Sequence, residues 1–497
     1  MKKIKFPTAQ TILLIIAALV TLLTWFVPAG KYDSLVYNST NKTLTITSID
    51  GSNSLPATQK TLDGLNIKIP IKKFTSGDIY KPISIPSTYK ELEAKPQGLI
   101  DFFKSPIKGI IEAADIIFLV LIIGGLIGIM NFTGAFDAGI TWLANMLKGR
   151  EYLLIVLVTS LIALGGTTFG LAEETIAFYP ILIPVFLAAK YDAMVALASI
   201  YIGSSIGTMC ATTNPFSTII ASDAAGINWT TGINLRLIML AIGTIICIIY
   251  ILRYAKRVKN DPSKSIIYDQ KEEIENMFGN SIVSSSSLTW RLRIIIFIFS
   301  LCFITMIYGV SMLEWWFLEM TTVFLIGAIL IGIIGKIKEY TFVDTFVKGA
   351  SDLLGVALII GIARGVSVIM NDGLISDTML FYASNVTEGM NKGIFANAMM
   401  FIYAGLSFFV PSSSGMAVLS MPIMSPLADT VGIGRELIVN AYNYGMGLFA
   451  FINPTGLILA SLAIVKVGYD KWLKFVMPLV IILLLVTMIF MTISVYI

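Results

Sequence analysis

The sequence predicts an all-α polytopic membrane protein made of two inverted-topology repeats. It would have about nine transmembrane helices, two re-entrant hairpins and a small β-rich extracytoplasmic insertion. Three observations carry that expectation. Of 497 residues, 56% are hydrophobic and only 13% charged, at a mean hydropathy of +0.83, whereas a soluble domain carries about 25% charged residues. Apolar runs of about 17 residues or more, the length that crosses a bilayer, recur along the chain. Short matches also return in the same order about 240 residues later. This composition excludes a soluble enzyme, a disordered protein and a secreted disulfide scaffold. A net charge of +4 is too small for nucleic-acid binding. There is no histidine, and Cys210, Cys247 and Cys302 lie in apolar stretches without metal-like spacing, as packing residues do.

Residues 1–29 read as the first transmembrane helix. The lysines of MKKIKF stay in the cytoplasm, and the apolar run at 9–28 is longer than a signal-peptide core and lacks a cleavage site. Residues 30–105 form the extracytoplasmic insertion, where alternation at 43–48 and 65–71 predicts strands. Residues 106–254 complete the first repeat, with apolar segments near 110–131, 152–167, 172–190, 192–213 and 232–252. Residues 255–314 hold a basic cytoplasmic loop and a linking helix near 292–312. Residues 315–497 form the second repeat, with segments near 315–335, 352–371, 394–411, 413–428, 436–452, 455–468 and 475–496.

The repeat rests on five collinear matches. Lys108-Gly109 recurs as Lys348-Gly349, and Ile129-Met130-Asn131 as Ile369-Met370-Asn371. Asp137 recurs as Asp377, PILIP ending at Pro184 as PIMSP ending at Pro426, and Asn214-Pro215 as Asn453-Pro454. If 152–190 and 394–428 are hairpins that return to their own side, the odd number of intervening crossings inverts the second unit. Lys148, Arg150, Lys190, Lys336, Lys338, Lys348, Lys466, Lys471 and Lys474 then fall inside, and Asp372, Asp377 and Glu388 outside. That satisfies the positive-inside rule.

Four places break the apolar pattern at membrane depth: GGTTFGLAEE at 165–174, TTNPFST at 212–218, PSSSG at 411–415 and NPTG at 453–456. Backbone freed from helical bonding survives there only against protein or a cavity, and paired broken helices mark a midplane binding site. Their hydroxyl, amide and carbonyl oxygens are hard ligands that suit sodium, with Thr168, Thr213, Asn214, Ser413 and Asn453 as candidate ligands. The half-helix N-termini suit a carboxylate. Small and hydroxyl residues also serve ordinary helix packing.

Glu173 and Glu174 stand out, because a carboxylate at bilayer depth costs about 2.5–3.5 kcal/mol on insertion scales. They read as counter-ion to a cationic solute, proton carrier, salt-bridge partner or cap of the return arm. Arg364, the deepest basic residue, reads as a carboxylate clamp, a neutraliser of Glu173 or Glu174, or a brace for carbonyls. Asp223, Asp137, Asp377 and Glu319 are expected at interfaces, and Trp229, Trp315 and Trp316 as belt anchors. Histidine, a nucleophile elbow and a phosphate-cradling loop are all missing, so the chain does not read as an enzyme.

The stretches FPTAQTILLIIAALVTLLTWFVPAGKY, GLAEETIAFYPILIP, TTNPFST, IIGIARGVSVIMNDGLISDT and PSSSGMAVLSMPIMSPLAD resemble the anaerobic four-carbon dicarboxylate carrier (DcuC-like) family of the ion transporter superfamily. The likeness is strongest to its YfcC-type branch and spans nearly the whole chain. The resemblance implies inverted repeats, a dimerising scaffold and a transport domain that moves as an elevator. It also implies that Thr167, Thr168 and Asn214 build one half-site, and that Ser412, Ser413, Ser414, Asn453 and Thr455 build the other. YfcC-type relatives are described as basic amino acid antiporters, whereas the family name implies dicarboxylates. Two carboxylates and no basic residue at the first hairpin tilt the reading toward an amino-acid-like solute.

The expected activity is therefore secondary transport of a small amino-acid-like metabolite by antiport or ion-coupled symport, with a C4-dicarboxylate carrier as the alternative. A channel or membrane enzyme fits less well. No cofactor is expected beyond a coupling sodium ion or proton. The partners are the solute, the bacterial cytoplasmic (inner) membrane and a second copy in a homodimer.

Overall fold

The computed structural model describes residues 7–77, 79, 81–146, 149–278, 289–313, 315–387 and 389–497. The N-terminal lysines, Lys148, Glu388 and the side chain of Asp137 lie outside the described residues. Eight described helices are long and apolar enough to cross a membrane, and Ala9–Leu23 and Ala193–Met209 are shorter apolar helices.

The chain opens with Ala9–Leu23, whose N-terminus is capped by the Thr8 side chain. The insertion follows as β1 (Gly30–Lys31), β2 (Ser34–Asn38), β3 (Thr43–Ser48), β4 (Gly51–Pro56), β5 (Ile83–Ser84) and β6 (Lys90–Glu91). Strands β4-β3-β2-β5 form one antiparallel sheet and β1-β6 a second. In the register Leu35 faces Ile46 and Tyr37 faces Leu44, which puts the buried Leu35 and Leu44 on the core side. The strand expected at 65–71 does not form. Pro70 lacks an N–H and instead precedes the short helix Ile71–Thr75, and Asn66 has a φ of 56°. The alternation survives in burial alone, with Ile67 and Ile69 inside.

Two runs of helices then follow in the same order. Each begins with an amphipathic platform helix, Leu99–Glu112 or Glu339–Asp352, and then an outer span, Ala114–Phe132 or Leu354–Asp372. The first platform helix runs through residue 105, so the strands of the insertion close at β6. Next come a connecting helix, Ala135–Met146 or Ser376–Val386, and a hairpin. The hairpin's first arm is Tyr152–Phe169 or Lys392–Phe409, and its return arm is Tyr179–Ala188 or Ser413–Val431. The broken helix is Ala193–Met209 followed by Pro215–Ile219 and Ile220–Ala224, or Arg435–Ala450 followed by Ile458–Val465. A closing span, Ile233–Asn260 or Tyr469–Ser494, ends each run. Both platform helices end, and both first arms begin, 240 residues apart: Glu112 and Asp352, Tyr152 and Lys392. Trp290–Met312 and Phe317–Ile334 lie between the runs.

The two runs pack by exchange. Each platform helix lies on the outer span of the other run. A Cβ on Gly109 would stand 2.2 Å from the Gly361 carbonyl oxygen, and one on Gly349 would stand 2.4 Å from that of Gly124. Only glycine permits backbones to approach so closely. The broken helices form the centre: Ala193–Met209 is buried almost throughout, and so is most of Arg435–Ala450. Apolar side chains such as Phe297, Ile304, Ile326, Ile333, Ile481 and Ile489 are exposed on peripheral helices, as lipid-facing surfaces require.

The polar segment between the two runs is tied to both of them. Asp192 caps Ala193–Met209 at Val195 and accepts hydrogen bonds from Tyr254 (2.7 Å) and Ser265 (2.6 Å). Lys471 pairs with Asp269 at 3.0 Å.

Candidate functional site

At the first hairpin tip the arm Tyr152–Phe169 ends on Gly170, with a left-handed φ of 78°, and the chain turns into the short 3₁₀ helix Glu173–Phe178. Glycine is needed here twice, for the backbone angle and because a Cβ would stand 2.7 Å from the Asn214 amide oxygen. The tip is stitched to the first break. The Thr167 hydroxyl donates to the Cys210 carbonyl (2.6 Å), and the Thr167 carbonyl accepts from the Thr212 and Thr213 amides (2.9 and 3.2 Å). The Thr213 hydroxyl donates to the Thr168 carbonyl (3.0 Å), and the Asn214 amide donates to the Gly166 carbonyl (3.4 Å). Carbonyls at a helix end have no partner within the helix. Here those of Cys210 and Ala211 take hydroxyls from Thr167 and Thr218.

The second tip repeats the stitch. The Asn453 amide donates to the Ser407 carbonyl (3.1 Å), and the Thr455 hydroxyl donates to the Phe408 carbonyl (2.8 Å). The Ser412 hydroxyl caps the return arm at the Gly415 amide (3.2 Å), and the Ser413 carbonyl accepts from the Tyr442 hydroxyl (2.8 Å). The Ser414 hydroxyl accepts from Lys81, which reaches in from the insertion (2.6 Å).

The halves are also cross-tied. The Asn443 amide donates to the Thr218 hydroxyl (2.9 Å), and the Tyr201 hydroxyl donates to the Ala450 carbonyl (2.8 Å). The segment after the first break packs on the second hairpin's return arm. The helix after the second break packs on the first hairpin's return arm and its acidic turn. All four predicted breaks therefore belong to one interlocked centre.

Within that centre the predicted site residues divide by exposure. Thr167, Asn214, Asn453 and Thr455 are buried and hold backbone carbonyls, and the buried Ser414 accepts from the Lys81 ammonium. Thr168 is exposed, and Thr213, Ser412, Ser413 and Glu173 are half-buried. The Asn214 amide oxygen already accepts from the Phe216 amide, and that of Asn453 from Thr455. Both asparagine oxygens expected as ion ligands thus serve as caps in this conformation.

The charged residues each have a definite local partner or setting. Glu174 is buried and its carboxylate accepts from the Ala172 amide (3.1 Å), the local capping alternative. Arg364 is 3.6 Å from Glu112, a pair between half-exposed side chains, and it makes no salt bridge with Glu173 or Glu174 among the described residues. Asp223 is 1% exposed and pairs with Lys73 of the insertion at 3.0 Å. Burial, with the charge of Arg364, pushes the Lys81 ammonium below the usual lysine range. Sequence reasoning missed Lys81, Glu112, Tyr442 and Asn443. Only the polar residues Asn440 and Asn443 within an otherwise apolar helix gave a signal. A separate cleft of about 830 Å³ opens at the base of the second hairpin, lined by Asn385, Thr387, Asn391, Lys392 and Thr430 among others, and neither tip contributes to it.

The chain is similar to several known proteins along almost its whole length. It is 44% identical over 497 residues to an uncharacterized protein of Haemophilus influenzae, covering 99% of this chain and 98% of that one. It is 30% identical over 486 residues to an Escherichia coli (strain K12) protein named "Putative basic amino acid antiporter YfcC", covering 94% and 92%. Among solved structures it aligns with the YdaH transporter of Alcanivorax borkumensis at 12% identity and a TM-score of 0.42, covering 98% of each chain. It aligns with MtrF of Neisseria gonorrhoeae at 15% identity and a TM-score of 0.41, covering 99% and 96%. The family model for the C4-dicarboxylate anaerobic carrier, DcuC, matches residues 6–496. The chain is a multi-pass membrane transporter and belongs to the DcuC family.

Proposed function

We propose that this transporter carries a small amino-acid-like metabolite, in particular a basic amino acid, across the bacterial inner membrane. It works as a secondary active transporter, by antiport or ion-coupled symport, through elevator-type alternating access. The two runs act as inverted repeats, the hairpins are re-entrant, the N-terminus is cytoplasmic and two copies associate. The observation that carries this reading is the matched stitch of tip to break in both halves. Asn214 and Asn453, and Thr213 and Thr455, hold equivalent tip carbonyls. Each tip and its break can therefore move as one body, as an elevator requires. The solute-facing set is Thr168, Thr213, Ser412, Ser413, Glu173 and Arg364. Buried Thr167, Asn214, Ser414, Asn453 and Thr455 hold its shape. The acidic turn and the name of the YfcC relative support a cationic amino acid. The coupling ion is sodium, held by tip carbonyls and hydroxyls, or a proton.

A C4-dicarboxylate is the second reading, with Arg364 as the anion clamp, favoured by the family description and by Lys81 at the second tip. Exchange in proteoliposomes separates the two. Vesicles loaded with arginine or ornithine should take up labelled arginine, and succinate outside should not compete. Uptake of succinate with none of arginine would reverse the order.

A further inference from the structure

Both helices that flank the insertion, Ala9–Leu23 and Leu99–Glu112, pack on the second run's outer span Leu354–Asp372. The base of the insertion continues onto the residues just after that span. The Gly30 amide donates to the Leu374 carbonyl (2.9 Å), and the Tyr32 amide donates to the Asp377 carboxylate (3.0 Å). The Tyr89 ring stacks on Phe381 at 4.2 Å. The far side of the insertion, 67–76 with β5, docks instead on the interlocked centre. The buried Ile67 and Ile69 share a small cleft with Ala224, Pro422 and Pro426, and Lys73 pairs with the buried Asp223 at 3.0 Å. Gly226 has a left-handed φ of 74°, and a Cβ there would stand 2.4 Å from the Lys68 carbonyl oxygen. Beside them β5 lies along the second hairpin's return arm.

We propose that the insertion is a latch on the moving centre. Its far side holds the centre in this position and must let go for the centre to travel, with Lys73 and Asp223 as the catch. The inference rests on the elevator reading above, though not on the identity of the solute. When the centre slides past the outer spans, an element docked on both has to release one of them. The course of the chain decides which. The insertion leaves and rejoins the protein through two helices that lie on the outer span, so its base is held there covalently and by packing. The far side has no such tie to the centre. Drawing Lys73 away while Asp223 stays 1% exposed would strand a buried carboxylate. The catch therefore opens only as the far side lifts and water reaches Asp223, which couples the ion pair to the docking of Ile67 and Ile69.

Ala224 is 2% exposed in the shared cleft and the native cysteines are buried, so Ala224→Cys reports release in the purified full-length protein. Its reaction with a maleimide in nanodiscs should be slow, at a rate set by the open fraction. Adding Lys73→Met should speed it about 10- to 100-fold, the range for a lost charge-assisted hydrogen bond. Adding Lys73→Arg should leave it within about threefold, and thermal melts check that each variant is folded. A second measurement keeps the catch intact: Ile69→Cys with Ala224→Cys, joined by a short bis-methanethiosulfonate linker in proteoliposomes. The linked protein should lose exchange of arginine, or of succinate where that is the solute carried, and a reductant should restore it. Exchange at the unlinked rate would show that the far side stays docked throughout, overturning the latch while the transport reading stands. Exchange of neither solute by the wild type would overturn the transport reading, and the maleimide rates would then decide the latch. Equal rates with and without Lys73→Met would overturn the catch, and a Lys73→Met variant that fails to fold leaves the decision to the linker.

Discussion

Two adjacent carboxylates with one sequence context end up in different trades. Glu174 turns inward and bonds the Ala172 amide. Glu173 stays half-buried. Glu173→Gln should therefore lower uptake of a cationic solute by about tenfold or more, since one charge-assisted contact is worth about 1.5–3 kcal/mol, without changing stability. Glu174→Gln keeps an acceptor for the Ala172 amide and should change uptake far less, while Glu174→Ala should melt earlier. Proteoliposome uptake and thermal melts of the three variants check this; equal loss of uptake in both glutamine variants would refute the division. The pair itself was legible in the sequence, because two acids in an apolar stretch are costly. The split was not, because it depends on which oxygen the turn brings to a backbone amide. Arg364 was legible for the same reason of cost. Its partner Glu112 was not, since the platform helix reaches the other run's outer span only through the exchange at Gly109 and Gly361. Lys81 was hidden among the many lysines of the insertion.

At the scale of elements, the breaks and tips were readable because glycine, proline and hydroxyl residues interrupt apolar periodicity. The stitches between them were not, because they join residues about 45 apart through backbone carbonyls. Several helix ends were also obscured. Lys190, Lys336 and Lys466 take left-handed angles at helix C-termini, with φ of 66°, 54° and 60°, where glycine is the usual signal. The stitches also separate stability from transport. Thr167→Val removes the hydroxyl bonded to the buried Cys210 carbonyl, and Thr455→Val does the same to Phe408. Each should cost about 1–3 kcal/mol, the price of an orphaned buried acceptor. The Thr168 hydroxyl bonds back to the Leu164 carbonyl of its own helix. Thr168→Val at that exposed site should leave stability within about 0.5 kcal/mol and still reduce uptake. Chemical denaturation in detergent, run beside uptake, checks the contrast; a Thr168 variant as unstable as the Thr167 variant would show that exposure does not divide the site.

For the whole molecule, composition gave away a membrane-spanning chain, and the recurring matches line up with two runs of helices in the same order. Orientation is the part that side-chain contacts cannot reveal. Each first arm has 18 residues, about 27 Å of helix and enough on its own to cross. The return arm Tyr179–Ala188 has only 10, about 15 Å and too short to recross the hydrocarbon. The 3₁₀ turn Glu173–Phe178 leads into that arm and lengthens the way back, and the proposed re-entrant reading has the first hairpin leave on the side it came from. The repeat argues that the second does the same from the opposite face. Single cysteines at the hairpin bases test this directly, because the native Cys210, Cys247 and Cys302 are buried. Arg150→Cys and Lys190→Cys should react with a membrane-impermeant maleimide only in inside-out vesicles. Lys392→Cys and Thr430→Cys should react on intact cells. If Arg150→Cys and Lys190→Cys reacted from opposite faces, the first hairpin would span the membrane and the inverted pairing of the two runs would fall with it.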